Sequence, residues 1–207
     1  TSITAILVNN SIGMATGSTV VVAKYFGAKD NGGIHRAVQA SMALALIMSV
    51  AITLFAEVFA VPALRLLGTP KEVFDGAVLY SRIVYMGIPA QMVYNFCSGI
   101  LRGIGDTKRP MYILAGSGIV NVVLNLILVI CFNMDVAGVA IATITSQYLS
   151  AIAAFRLLLK EGQEFKVIPR QIRIYKKELI EILKIGIPNT ISSSLIYFSN
   201  LLVSSAV

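Results

Sequence analysis

Residues 110–155 read PMYILAGSGIVNVVLNLILVICFNM, then D, then VAGVAIATITSQYLSAIAAF, and this stretch decides the fold. Its only charge is Asp135, which separates a charge-free run of 25 residues (110–134) from one of 20 (136–155). A helix needs about 20 mostly apolar residues, rising about 1.5 Å each, to cross roughly 30 Å of hydrocarbon. Two such runs joined at Asn133-Met134-Asp135 read as membrane-crossing helices in an antiparallel hairpin. Neither run alternates polar with apolar residues, and each is twice the length of a barrel strand, so strand spans are excluded.

Working outward, four more windows lack Asp, Glu, Lys and Arg: 1–23, 37–56, 83–101 and 185–207. Together the six windows hold 130 of the 207 residues, and all 27 charges fall in the other 77. The chain is 13% charged, about half the ~25% of a soluble domain. Its mean hydropathy of +0.81 reverses the signature of disorder. Two cysteines, Cys97 and Cys131, lie in different windows and read as small apolar packing residues, not a disulfide framework. The expected fold class is all-α: a polytopic integral membrane helix bundle with spans at about 1–23, 37–56, 74–101, 110–134, 136–158 and 185–207.

The charged gaps set an orientation. Alternate gaps lie on opposite sides, and the first, third and fifth carry 14 basic residues against 3 in the second and fourth. Basic residues stay in the cytoplasm, so 24–36, 102–109 and 156–184 are expected there, in a plasma membrane of the bacterial inner-membrane type. The net charge of +7 is therefore a topology signal, and no nucleic-acid partner is expected. Both ends of the chain fall on the outer side, the first residue is Thr, and the last window stops without a polar flank; an upstream helix and a downstream part are expected.

Local signals mark the turns. Thr69-Pro70-Lys71-Glu72 reads as a capping box starting a helix that runs into the third span. In 102–110 two glycines permit a tight turn, and Pro110 suits the first turn of the next helix. Residues 161–174 are polar, hold Pro169 and read as a linker. Beyond it, Tyr175, Leu179, Ile182 and Leu183 share one helical face opposite Lys177, Glu181 and Lys184. That pattern fits a surface amphipathic helix and equally fits a cytoplasmic extension of the last span.

Polar side chains inside the spans need partners there. The first span holds Asn9 and Asn10, then Gly13 and Gly17 at a spacing that lets helices approach closely. The third holds Pro89, expected to kink it, with Gln91 and Asn95 one turn apart. The fourth places Gly118, Asn121 and Asn125 on one face, and the fifth places Thr143 and Gln147 one turn apart. The sixth has Pro188, a second expected kink, with Asn189 and Ser192-Ser193-Ser194. Such residues join helices in any bundle. Their stacking on neighbouring helices also suits a substrate cavity near the midplane, with Asn9, Gln91, Asn95, Gln147 and Asn189 along it. Asn121, Asn125 and Thr143 together offer oxygen ligands to a small hard cation. No window holds a carboxylate, the single His35 lies in a charged loop, and no catalytic, metal or phosphate-loop motif occurs, so neither an enzyme nor a cofactor is expected.

The chain resembles the multidrug and toxic compound extrusion family of secondary transporters. The matching stretches are 20–29 (VVVAKYFGAK), 64–70 (LRLLGTP), 101–110 (LRGIGDTKRP), 121–125 (NVVLN), 136–143 (VAGVAIAT) and 186–188 (GIP), in family order. The resemblance implies a twelve-helix transporter of two lobes. Here it implies a partial amino-terminal lobe at 1–160, a linker at 161–184 and the first helix of the second lobe at 185–207. It implies export of cationic or amphipathic organic compounds in exchange for Na⁺ or H⁺ by alternating access, by a protein monomeric when full length, with lipid as its other partner. It also implies a cation site using Asn121 and Thr143, with Asn125 where many members carry Asp; an amide oxygen binds Na⁺ but carries no proton. The related lipid-linked glycan flippases share this architecture, but basic residues expected deep in their cavity are absent here. A non-transporting membrane scaffold, the reading from another class, leaves the polar stripes without a use.

Overall fold

The computed structural model describes residues 2–66, 71–160, 162 and 165–206, with side chains for 11–62, 64–65, 74–160, 162, 165–170 and 172–195. Every described element is helical: α1 (Ser2–Gly27), α2 (Asn31–Leu66), α3 (Lys71–Tyr85), α4 (Ile88–Gly103), α5 (Lys108–Leu126), α6 (Asp135–Lys160) and α7 (Lys176–Ala206). A π-helical segment, Ile127–Cys131, extends α5, and a 3₁₀ turn, Pro169–Gln171, precedes α7. Among the described residues, Asn31–Pro62, Lys108–Cys131 and Asp135–Lys160 are each long and apolar enough to cross a bilayer. The candidate capping box at Thr69–Glu72 and the side chain of Asn9 lie outside the described residues.

Two helix corners are built alike. After α1, Lys29 adopts φ 54°, its N–H donates to Phe26 O (3.1 Å), and the Asp30 N–H donates to Tyr25 O (3.1 Å). After α4, Gly105 adopts φ 89°, its N–H donates to Arg102 O (3.0 Å), and the Asp106 N–H donates to Leu101 O (2.9 Å). This paired closure satisfies the last carbonyls of each helix. The aspartate that completes each closure then caps the next helix: Asp30 Oδ1 accepts from the Gly33 N–H (2.9 Å), and Asp106 Oδ1 accepts from the Arg109 N–H (3.1 Å). The tight turn expected at 102–110 is present, with Gly105 alone supplying the left-handed residue and Pro110 in the first turn of α5.

The third apolar segment is not one kinked helix. It is interrupted at Met86-Gly87, between α3 and α4, and Pro89 stands in the first turn of α4. A proline ring collides with the carbonyl four residues earlier and offers no N–H, so the helix ends ahead of it and restarts where that loss costs nothing. Pro188, by contrast, lies within α7, which is continuous from Lys176 onward. Residues 176–184 are thus the first turns of the same helix that enters the last apolar window, not a separate surface helix.

Burial explains the arrangement. Twelve of the sixteen residues of α4 are buried, which makes it the central helix. Phe96, Cys97, Ile100 and Leu101 are sealed against α1, α2 and α6. α5, with only Pro110 buried, packs chiefly on α6 and is pinned to α4 by the Tyr94 hydroxyl donating to Pro110 O (3.0 Å). α1 crosses both α4 and α7 on small residues. A Cβ at Gly99 would lie 2.9 Å from Ala15 O, and one at Gly103 would lie 2.9 Å from Thr19 O. On the other side a Cβ at Gly17 would lie 2.9 Å from Gly186 N, and one at Gly13 would lie 2.7 Å from Thr190 Cα. The spacing of Gly13 and Gly17 thus serves the close approach it predicts.

Charges gather at one end. Lys24 pairs with Glu181 (2.9 Å), and Arg36 pairs with Glu178 (2.7 Å), whose side chain is only 3% exposed. The hydrogen bond from Lys24 to Glu181 holds that ammonium above the ordinary lysine range. The linker docks beside them: Gln39 Nε2 donates to Lys166 O (3.0 Å), Val167 is buried, and Phe165 meets Phe26 edge-on at 5.8 Å. Lys24, Arg36 and residues 165–167 therefore share one end of the bundle with the first turns of α7, and Gly103 lies beside Val22 near it.

Gly17→Ala and Gly103→Ala are each expected to destabilise the protein by about 1–3 kcal/mol through overpacking of a tight crossing. Gly116→Ala, which would meet nothing within 4 Å, is expected to cause no loss. Thermal unfolding of the purified protein in detergent measures the difference, and equal midpoints for all three would contradict the crossing.

Candidate functional site

A cleft of about 370 Å³ opens between α4, α5 and α6, and about half of its lining is polar. α5 contributes Leu114, Ser117, Gly118 and Asn121, spaced three and four residues apart on one face. α6 contributes Thr143, Ser146 and Gln147 by the same spacing, and α4 contributes Gln91.

The side chains form a directed chain of hydrogen bonds. Asn125 Nδ2 donates to Asn121 Oδ1 (3.1 Å), Asn121 Nδ2 donates to Ser146 Oγ (3.3 Å), and the Ser146 hydroxyl donates to Thr143 O (2.8 Å). The Thr143 hydroxyl donates to Val139 O (2.8 Å). Each amide nitrogen and hydroxyl named here donates one hydrogen bond to a protein acceptor. What remains is oxygen: Asn125 Oδ1 is buried without a donor, and the Thr143 hydroxyl keeps its lone pairs. A buried acceptor without a donor costs about 1–3 kcal/mol. Such a group calls for a ligand that brings positive charge or a hydrogen.

A second pairing closes the cleft against α4. Gln147 Nε2 donates to Gln91 Oε1 (2.8 Å), and Gln147 Oε1 is buried without a partner beside the α3–α4 break. Gly87 makes room for it, because a Cβ there would collide with this amide oxygen. The neighbouring Tyr148 hydroxyl donates to Met86 O (3.0 Å), so α6 supplies a partner to the interrupted backbone. Among the described lining residues none is titratable, and no group of three His, Cys, Asp or Glu is placed to hold a metal ion.

The structure therefore brings Asn121, Thr143, Gln91 and Gln147 to one cleft and joins Asn125 to it through Asn121. It places two other polar residues elsewhere. Asn95 is buried with its Nδ2 unpartnered and does not line the cleft. Asn189 Nδ2 donates to Gly13 O (3.4 Å), a tie between α7 and α1. One face of a helix can serve two interfaces, which sequence spacing does not separate. Ser146 and Ser117 escape a reading that weights Asn, Gln and Thr. A serine in a helix ordinarily bonds back to its own backbone, as Ser146 does, but its oxygen also accepts from the neighbouring helix.

Comparison with known proteins follows the same geometry. The family model described as MatE matches residues 1–127. The probable multidrug resistance protein YoeA of Bacillus subtilis is 28% identical over 213 residues, covering 98% of this chain and 45% of the relative. A solved inward-facing multidrug resistance MATE family transporter of the MOP superfamily aligns with a TM-score of 0.87 at 25% identity, over 95% of this chain and 46% of that one. An outward-facing transporter of the same description aligns with a TM-score of 0.85 at 26% identity, over 92% and 43%. The chain thus spans about half the length of the relatives it matches.

In a Cys131→Ser background, Asn121→Cys is expected to react with a membrane-impermeant thiol reagent, while Asn95→Cys stays protected. Protection of position 121 under every condition, as a scaffold would give, would remove the open cleft.

Proposed function

The chain belongs to the MatE family, a family of integral membrane transporters and not of enzymes, and from that premise we propose that its protein exports amphipathic or cationic organic compounds in exchange for Na⁺. The observation that carries the proposal is the half-polar cleft with Asn121 and Thr143 on its wall and, joined to it through Asn121, the buried Asn125 Oδ1 that lacks a partner. Oxygen ligands without formal charge suit a hard monovalent ion at a depth where a fixed charge is costly. Asn121, Asn125 and Thr143 are the ligands assigned. Among the described lining residues no side chain takes up a proton, which supports Na⁺ as the ion read there.

Gln91 and Gln147 face the same cleft and are assigned to the substrate path. Ion entry would draw Asn121 and Asn125 toward the cation and loosen the chain to Ser146. Ion and drug then compete for the position of α5, whose one buried residue is Pro110. Similar agreement with inward- and outward-facing relatives supports a cycle in which this half moves as a unit against the remainder. We assign 24–36, 102–109 and 156–184 to the cytoplasmic side of the plasma membrane, since basic segments gathered at one end stay there. The full-length transporter is assigned as a monomer.

Efflux of an amphipathic cationic dye from cells or vesicles under an imposed Na⁺ gradient tests this. Asn121→Ala and Asn125→Ala are each expected to slow Na⁺-driven efflux about tenfold, the worth of one hydrogen-bonding group to a charged ligand. Asn125→Asp is expected to make efflux pH-dependent, because a carboxylate carries the proton that an amide cannot. Unchanged efflux in both alanine variants would overturn the assignment.

A further inference from the structure

A second cavity, of about 430 Å³, lies between α2, α4 and α6 and has almost no polar surface. Leu46, Val93, Tyr148, Ile152 and Phe155 line it, and Arg156 with Ile172 stands at one end. Along α6 the lining runs from Tyr148 to Leu159, about 16 Å at 1.5 Å per residue. That is the depth of one leaflet, half of roughly 30 Å of hydrocarbon. Its inner end adjoins the polar cleft, since Tyr148 follows Gln147 and Ala90 precedes Gln91. Its mouth lies at the basic end of the bundle, with Lys160 one turn beyond Arg156 and Arg173 next to Ile172.

Arg156 is exposed and has no ion pair or hydrogen bond among the described residues. Three of the described carboxylates are already held: Glu178 by Arg36, Glu181 by Lys24 and Asp106 by Arg109. A guanidinium binds phosphate through a planar fork of donors. Leu46, Tyr148 and Ile152 are about half exposed, as an apolar surface is when it faces lipid. An amphipathic cation would fit the walls but meet Arg156 as a like charge.

We propose that the α2–α4–α6 groove is a site for an anionic phospholipid, with one acyl chain along Val93, Ile152 and Phe155 and its phosphate on Arg156. The full-length protein, purified in detergent, is incubated with micelles containing phosphatidylglycerol or phosphatidylcholine of identical chains, and retained lipid is quantified by mass spectrometry after chromatography. Phosphatidylglycerol is retained in preference, and Arg156→Gln lowers its retention about fivefold, the worth of one basic side chain toward an anionic lipid. Arg156→Lys keeps most of the retention, while Ile152→Trp, which fills the groove and leaves the charge, lowers it. Equal retention of the two lipids, unchanged retention in Arg156→Gln, or displacement of bound lipid by inorganic phosphate or a cationic dye would each overturn the proposal.

Discussion

The close crossing of α1 over α4 and α7 is the contact on which the rest depends. Hydrocarbon offers helices no gain from burying apolar surface, so they associate by fitting backbone to backbone. Gly99 and Gly103 on α4 meet carbonyls of Ala15 and Thr19, while Gly13 and Gly17 on α1 meet Thr190 and Gly186. With α1 held that near, α4 becomes the buried axis of the bundle, and α2 and α6 pack onto its remaining faces. α5 is left on the outside with α6 as its main support. α5 is tied to the central helix by the hydrogen bond from Tyr94 to Pro110 O, and the polar cleft lies between α5, α6 and Gln91 of α4.

Inside that cleft, the direction of the hydrogen bonds matters more than their number. Asn125 donates to the Asn121 amide oxygen and Asn121 to the Ser146 hydroxyl, while Ser146 and Thr143 donate to backbone carbonyls, so the Asn125 oxygen at the head of the chain is left without a donor. The break at Met86-Gly87 contributes in the same way. It removes a side chain where Gln147 needs space, and its freed carbonyl is met by Tyr148 from α6. The interruption thus ties α6 to the central helix just where the cleft is most polar.

Much of this was legible in the residues. Charge-free windows of 19–25 residues announce the helices, and a polar face repeated on α5 and α6 announces Asn121, Thr143 and Gln147 as neighbours, because a three-residue connection leaves those helices antiparallel. The residues 101–110 foretell a glycine turn, and Gly105 makes it. Legibility fails where two outcomes share one pattern. Pro89 signals a disturbance but not that the helix stops at Met86. Asn95 and Asn189 have the same chemistry as Asn121, and only packing sends one into the core and the other onto Gly13. The capping role of Asp30 is hidden because Lys29, not glycine, holds the left-handed position before it.

The division of electrostatic labour follows from depth. The ion pairs found among the described residues lie toward one end, where Lys24, Arg36 and Arg109 reach water although the Glu178 side chain is buried. Among the described residues that line the cleft only dipoles occur. Among the described residues the wall of the cleft carries polar groups and no formal charge, in an architecture that matches relatives in both inward- and outward-facing states.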